Sequence, residues 1–381
     1  MRSTYVNNAN ASPGAGGWLP HALSELSSLG EDVVESALGG GAFQPRVMCG
    51  IAARLGLLSA ETLASFFPGQ QAYSLRELAN KLGAWYLFSY ADRLVGGFPS
   101  YTLTEIGDQV ARLDRFTAVW VAEGLGYFYT QNALSRSRCR RLFQNEEAER
   151  LSMQMIIPLH TGCGLALAEA ALQGADAAHL QNRLQDFWHL CVENARESYA
   201  EMTFESLGLV AITLFPQLVS PIEQELMLSA AHLGGYFWHG VGRGLYFSPS
   251  TFVPVRTTRS AALEMSQRLS MTGEGRRNAL AGFAWALTLV NIRHARVIEL
   301  CLRDHEREIL DLDAFSKGMA SATKLWSLVA PQDPDLEFLR NFLHPANGWN
   351  LLEKGFEGPQ SLHEAPCTLF HVSADKPGGT C

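Results

Sequence analysis

The sequence predicts a nearly all-α protein built from two-helix repeats of about 40 residues. Strand signals are almost absent between residues 18 and 357. Apolar residues recur at every third or fourth position in segments such as 180–199 and 261–269, which is the spacing of one helix face. A short phrase of small residues also returns at intervals of about 40 residues. Together these observations predict an α-solenoid or a closed α/α toroid, and periodicity does not separate the two.

The repeated phrase has the pattern x-small-apolar-small and is followed by an apolar helical run. Glycine inside a helix costs about 1 kcal/mol relative to alanine, so its return at one phase needs a reason. Removing Cβ lets two helices approach closely, and we expect one helix of each repeat to begin at the phrase. Weaker early copies lie at 49–52 and 82–85. The six clear copies are Glu123-Gly124-Leu125-Gly126, Thr161-Gly162-Cys163-Gly164, Glu205-Ser206-Leu207-Gly208, His239-Gly240-Val241-Gly242, Ala281-Gly282-Phe283-Ala284 and Lys317-Gly318-Met319-Ala320.

Composition changes along the chain predict four regions. Residues 1–17, rich in Asn, Ser, Gly and Ala, are expected to form a flexible arm, and 18–110 an N-terminal helical region. Residues 111–357 form the predicted repeat domain, and 358–381 an irregular tail. Prolines such as Pro158 and Pro216 are expected at the joints between helices.

Charge and cysteine content restrict the function classes. The 381-residue chain has a net charge of -8, which argues against a nucleic-acid binder. Seven cysteines without a C-x-x-C pair favour a reducing, cytoplasmic setting. We expect no signal peptide and no transmembrane segment, because the longest apolar run, about 280–292, is too short to span a bilayer. No metal or cofactor motif is found, and neither is expected.

Aligning the six phrases predicts the catalytic residues. Polar side chains occupy columns that would be uniformly apolar in a purely structural repeat, and buried polar groups need partners. Helix capping is the structural alternative for the two glutamates, and a satisfied core histidine is the alternative for His160. The candidates for acid–base chemistry are Glu123, Glu205, His239 and Arg243 in these columns, together with His160, which precedes the second phrase.

Aromatic residues cluster at the phrases rather than between them. Core filling explains such a distribution, and the rival interpretation is a π-rich pocket for a flat apolar ligand. The candidate substrate-binding residues are Tyr127, Tyr129, Tyr236, Trp238, Tyr246 and Trp285.

Three segments resemble a bacterial family of domains of unknown function that recurs in enediyne and related polyketide biosynthesis clusters. They are 123–124, 160–164 and 239–247, and the resemblance extends over about residues 110–330. Ser206, Ala284 and Ala320 depart from the family's glycines. The resemblance implies a place in secondary metabolism and a polyene or polyketide-derived substrate, and it supplies no catalytic residues.

The favoured interpretation is therefore a biosynthetic enzyme that cyclises or isomerises a hydrophobic small molecule in an apolar helical cavity. A non-catalytic α-solenoid that binds a partner protein or a pathway intermediate is the alternative. A terpene-type cyclase is a weaker one, because no convincing aspartate-rich metal motif is present. A homo-oligomer or a contact with another pathway enzyme remains open.

Overall fold

A computed structural model describes residues 70–97, 102–176, 179–248, 250–330 and 333. Within these residues the chain forms thirteen α-helices and no strand, which confirms the all-α prediction. The predicted arm and tail, and the early copy of the phrase at 49–52, lie outside the described residues. In chain order the helices are α1 Gln70–Gly97, α2 Leu103–Val110, α3 Arg115–Ser135, α4 Glu146–Glu149, α5 Met153–Leu172, α6 Leu180–Asn194, α7 Ala200–Leu214, α8 Val219–Ser229, α9 Gly234–Phe247, α10 Arg256–Arg268, α11 Gly273–Val290, α12 Ala295–His305 and α13 Leu312–Val329.

Several helices begin at side chains that cap their free backbone N–H groups. Thr102 and Glu105 form a capping box at the start of α2. Asp114 accepts a hydrogen bond from the Thr117 amide at the start of α3. Thr272 and Asp311 cap α11 and α13 in the same way. These capping residues fix where the helices start. In α3, α11 and α13 the start lies several residues before the repeated phrase.

The phrase consequently lies inside a helix, and the expectation that helices begin at it is wrong. In α3 the phrase starts eight residues after Arg115, and in α11 eight residues after Gly273. The unfavourable helix propensity of glycine is overridden by packing, because burial of the neighbouring apolar residues stabilises the helix more than glycine weakens it. Helix capping therefore does not explain Glu123 or Glu205.

The small residues of the phrase are the places where successive long helices touch. A Cβ at Gly162 would overlap the carbonyl oxygen of Glu123, and a Cβ at Gly282 would overlap that of His239. Ser206 occupies the equivalent position on α7, and its hydroxyl donates a hydrogen bond of 2.9 Å to the Thr161 carbonyl. The serine thus replaces a close backbone contact with a hydrogen bond.

A contact of this kind, between a small residue and a carbonyl group of the preceding long helix, joins each successive pair among α3, α5, α7, α9, α11 and α13. It also reaches α1, where a Cβ at Gly124 would overlap the Phe88 carbonyl. The matching phrase on α1 is therefore 88–91, and not 82–85 as the sequence suggests.

The intervening helices α6, α8, α10 and α12 are 11 to 15 residues long. One predicted pair is incomplete, since only the four-residue α4 lies between α3 and α5.

Helix α5 contains a long apolar stretch. The stretch Gln154–Leu172 is long and apolar enough to cross a membrane, but 83% of it is buried inside the protein. A core helix of a soluble protein has the same character, so this stretch is weak evidence for a membrane span. Pro158 lies within α5 rather than at a joint.

Candidate functional site

Four of the long helices bring together a buried group of polar side chains, which we call the central cluster. It consists of Glu123 on α3, Glu205 on α7, His239 and Arg243 on α9, and Trp285 on α11. Their positions in the sequence span more than 160 residues, and the repeat contacts align them. Four of the five predicted catalytic residues therefore meet at one place.

Arg243 links two carboxylates. Its Nη1 donates to Glu205 Oε2 at 2.7 Å, and its Nη2 donates to Glu123 Oε1 at 3.2 Å. The guanidinium carbon lies 4.6 Å from the centre of the Trp285 ring, within the range of a cation–π contact. Arg243 is only 1% exposed, so both ion pairs act at low dielectric.

The second oxygen of Glu205 orients His239. The His239 Nδ1 atom lies 2.8 Å from Glu205 Oε1. An ionised carboxylate only accepts hydrogen bonds, so Nδ1 carries a proton, and Nε2 is the nitrogen left to act as a base when the ring is neutral. The His239 ring also meets Trp285 edge to face, with ring centres 6.1 Å apart.

The main chain of three residues of the central cluster packs against the long helix that follows in the chain. The carbonyl groups of Glu123, Glu205 and His239 face Gly162, Gly240 and Gly282. These three residues occupy the first position of the phrase, so the contact that repeats along the fold also positions the candidate residues. Their Cα atoms are therefore fixed by main-chain packing rather than by loops.

The two carboxylates have pKa values moved in opposite directions. Burial raises the pKa of Glu123 above its usual value, and the charge of Arg243 only partly offsets this effect. Burial acts on Glu205 in the same sense, but Arg243 and His239 together bring the pKa of Glu205 below its usual value. Glu205 is thus the carboxyl group that ionises more readily, and Glu123 is the one that holds a proton more strongly.

This arrangement supplies both halves of acid–base chemistry. A protonated Glu123 can donate a proton, and His239, held by ionised Glu205, can accept one. With Glu205 negative and Arg243 positive, the buried charges balance. Glu123 is 6% exposed whereas Glu205 is fully buried, so exchange of protons with solvent is easier at Glu123.

His160, the fifth predicted catalytic residue, does not join the central cluster. Its Nδ1 contacts the Ile156 carbonyl at 2.7 Å, and its Nε2 accepts from the Arg196 amide at 2.9 Å. Burial lowers the pKa of His160 to about 4. Both nitrogens serve the backbone, as in the structural alternative for this residue.

Trp285 is the one predicted substrate-binding aromatic that lies in the central cluster. The Trp238 indole instead donates to Glu223 at 3.1 Å, and the Tyr246 hydroxyl accepts from Asn291 at 2.9 Å. The Tyr127 hydroxyl bonds to Glu169, and Tyr129 packs against Phe143. Tyr236 is buried near the start of α9.

Two features were missed by reasoning from the sequence. Trp120 lies one turn before Glu123 on α3, and its buried indole Nε1 has no hydrogen-bond partner among the described residues. Its spacing of three residues from Glu123 is the only signal, and it is indistinguishable from ordinary core patterning.

The second missed feature is another buried polar group, which contains Glu77, Lys81 and Arg259. Arg259 Nη1 donates to Glu77 Oε2 at 3.2 Å, and Lys81 Nζ lies 3.9 Å from the centre of the Tyr246 ring. Burial lowers the pKa of Lys81 to about 8. A Glu and a Lys four residues apart are typical of a solvated helix face, so the sequence gives no sign of their burial.

No group of three or more His, Cys, Asp or Glu side chains within the described residues is placed to hold a metal ion. The four cysteines described, Cys139, Cys163, Cys191 and Cys301, are free thiols.

Comparison of the chain with models of known protein families, with curated proteins and with solved structures gave no significant match. The resemblance to the enediyne-associated family therefore stays a prediction.

Proposed function

We propose that the protein is an enzyme that isomerises or cyclises an apolar, polyene-like molecule by acid–base chemistry at the central cluster. The observation that carries this proposal is the Arg243 guanidinium shared by two carboxylates whose pKa values move apart. Pairs of titratable groups with opposite shifts are the pattern by which one site provides both an acid and a base.

In this proposal Glu123 protonates the substrate at one carbon, and His239 Nε2 removes a proton from another. The substrate keeps its composition, and the two groups exchange protons with solvent between turnovers. Trp285 contacts both the Arg243 guanidinium and the His239 ring, so it holds the charged group and the base in place. The polyketide or enediyne context, the cytoplasmic location and the solubility of the chain belong to the same proposal.

We further propose that the repeats form a closed ring around the central cluster rather than an open solenoid. Three contacts support the closed alternative. The rings of Phe116 on α3 and Trp326 on α13 lie 6.3 Å apart, and α13 also packs against α5. Arg243 on α9 reaches across to Glu123 on α3. Long helices far apart in sequence thus contact one another, as closure requires.

A second candidate function, the binding of a partner protein, is favoured by exposed apolar side chains on one part of the surface. Leu228 is 84% exposed at the end of α8, and Met271 is 55% exposed in the loop before α11. Glu223 on α8 binds the Met271 amide, so this loop lies against α8. Exposed apolar groups near one another are typical of interaction surfaces.

The test begins with native mass spectrometry of the purified full-length chain, followed by solvent extraction of anything that it releases. The enzyme proposal predicts a bound apolar small molecule, whereas the second candidate predicts a bound protein. Extracted molecule, returned to the protein in D₂O, should gain deuterium through the acid–base cycle.

His239→Gln and His160→Gln form a matched pair, since both remove a buried imidazole. Deuterium incorporation should be lost in His239→Gln and in Glu123→Gln, and kept in His160→Gln. Incorporation that survives both of the first two changes would contradict the site assignment. The absence of any bound apolar molecule, with a protein bound instead, would contradict the enzyme.

A further inference from the structure

Two buried hydrogen-bond donors lie along the contact between α3 and α9. Trp120 Nε1 and Arg243 Nε are both buried, and neither has a hydrogen-bond partner within the described residues. Trp120 is 4% exposed and Arg243 is 1% exposed. Buried N–H groups without partners are rare in native proteins, because each costs about 1–3 kcal/mol.

The two donors lie in one line of contacts between α3 and α9, which we call the seam. Glu123 accepts from Arg243 at 3.2 Å, and one turn further along, the rings of Trp120 and Phe247 meet edge to face with centres 6.3 Å apart. Trp120 precedes Glu123 by one turn of α3, and Phe247 follows Arg243 by one turn of α9. The Trp120 side chain therefore lies in the same line of contacts as Glu123, one turn along α3 from the group that we propose as the acid.

We infer that this seam binds the oxygen of a carbonyl group on the ligand, with the Trp120 indole as its principal donor. The inference rests on the proposed function and deepens it, because it assigns a polar group to an otherwise apolar substrate. An oxygen acceptor satisfies Trp120 Nε1, and it places the adjacent conjugated carbons next to Glu123.

A neutral acceptor fits this seam better than an anion. Arg243 is already neutralised by Glu205, and burial, which raises the pKa of Glu123, disfavours a further negative charge there. A carboxylate ligand would add an unbalanced charge to this buried site, which is unfavourable. A ketone, aldehyde or ester oxygen accepts hydrogen bonds without that cost.

The chemistry also benefits from a carbonyl at this position. Hydrogen bonding from Trp120 withdraws electrons from the conjugated system and makes the adjacent C–H bonds more acidic, so His239 can remove a proton more readily. Protonation by Glu123 then returns the proton at another carbon of the conjugated chain. The molecule is isomerised with no change in composition and no need for an oxidant.

The test compares two probes of similar length and shape. 1,6-Diphenylhexatriene is a fluorescent hydrocarbon, and 1,5-diphenylpenta-2,4-dien-1-one carries one carbonyl group. Binding of the first to the full-length chain is followed by fluorescence, and binding of the second by competition. Wild type should prefer the dienone, and Trp120→Phe should weaken dienone binding by about 5- to 10-fold while leaving hydrocarbon binding unchanged.

The matched control is Trp326→Phe, which also removes an indole N–H but one that donates to Asp333 at 3.1 Å within the chain. This control should lower stability and leave the ratio of the two affinities unchanged. Trp120→Phe should cost less stability, because it removes a donor that has no partner in the described chain.

The outcomes separate the two proposals. If wild type binds the hydrocarbon but shows no preference for the dienone, or if Trp120→Phe weakens both probes equally, the carbonyl site is overturned, and a buried water is then the partner of Trp120. If wild type binds neither probe, both this inference and the apolar substrate of the proposed function are overturned.

Discussion

The carbonyl oxygen of Glu205 on α7 lies directly against the Cα of Gly240 on α9, where a Cβ would overlap it. The neighbouring residue His239 binds the Glu205 side chain at 2.8 Å. One helix contact therefore brings together both the backbone and the side chains of a candidate catalytic pair. The small-residue phrase and the polar cluster are thus two aspects of the same packing.

Replacement of Gly240 by alanine should be severely destabilising. The added Cβ cannot coexist with the Glu205 carbonyl unless α7 and α9 move apart, and we expect a loss of about 3 kcal/mol or more in the free energy of unfolding. Urea denaturation followed by circular dichroism measures this loss.

Gly273→Ala is the control for that prediction. Gly273 is the exposed first residue of α11, and nothing lies within 4 Å of a Cβ placed there. The change should alter the free energy of unfolding by less than about 1 kcal/mol, in the stabilising direction. Equal losses in the two variants would show that the close contact at Gly240 is not what matters.

Arg243→Met should cost about 3–5 kcal/mol of stability at pH 7, because Glu205 is left as a buried charge without its main partner. Glu123→Gln should cost about 1 kcal/mol or less, since the raised pKa of Glu123 favours its neutral form and glutamine can still accept from Arg243. Chemical denaturation at pH 7 compares the two. A loss in Glu123→Gln as large as that in Arg243→Met would mean that Glu123 is ionised.

Acid should destabilise the protein partly through His160. Its pKa is lowered from 6.5 to about 4 in the folded chain, so between these values the unfolded state binds the proton and the folded state does not. Stability should therefore fall as pH falls through this window, by up to about 3 kcal/mol for this residue.

His294 has a pKa that burial lowers in the same way, so the prediction concerns the difference between wild type and His160→Gln. That difference, measured by thermal denaturation, should shrink as pH falls from about 6.5 to about 4. A constant difference would mean that His160 is not the neutral, backbone-bound residue that its contacts indicate.

Lys81 should give a pH dependence of the same sign as His160, but in alkaline solution. Burial lowers its pKa from 10.5 to about 8, so above pH 8 the folded state loses a proton that the unfolded state keeps. Stability of wild type relative to Lys81→Met should therefore rise by about 1 kcal/mol between pH 8 and pH 9. The difference in stability between the two proteins separates the effect of Lys81 from that of thiols that titrate in the same range. If this difference falls as pH rises, Lys81 is not a buried amine with a lowered pKa.

Much of this architecture could be predicted from the sequence, because the signals are local and periodic. Helix content, the phrase and the polar residues in its first column follow from spacing alone. The register on α1 could not be predicted, since Gly83 offers the stronger local pattern while Gly124 packs at Phe88. Which polar residues meet was equally hidden from the sequence. Glu123 stands in the first column of the phrase and His160 just before it, and only the path of α6 and α7 supplies the Arg196 amide that satisfies His160.

The most direct test of the central claim is infrared spectroscopy of the two carboxyl groups at neutral pH. The C=O stretch of a protonated carboxylic acid is well separated from the bands of a carboxylate. Wild type should show a protonated carboxyl band at pH 7 that disappears in Glu123→Gln and persists in Glu205→Gln. If no such band is present, or if it disappears in Glu205→Gln instead, Glu123 is not the acid and the assignment of acid and base at the central cluster is wrong.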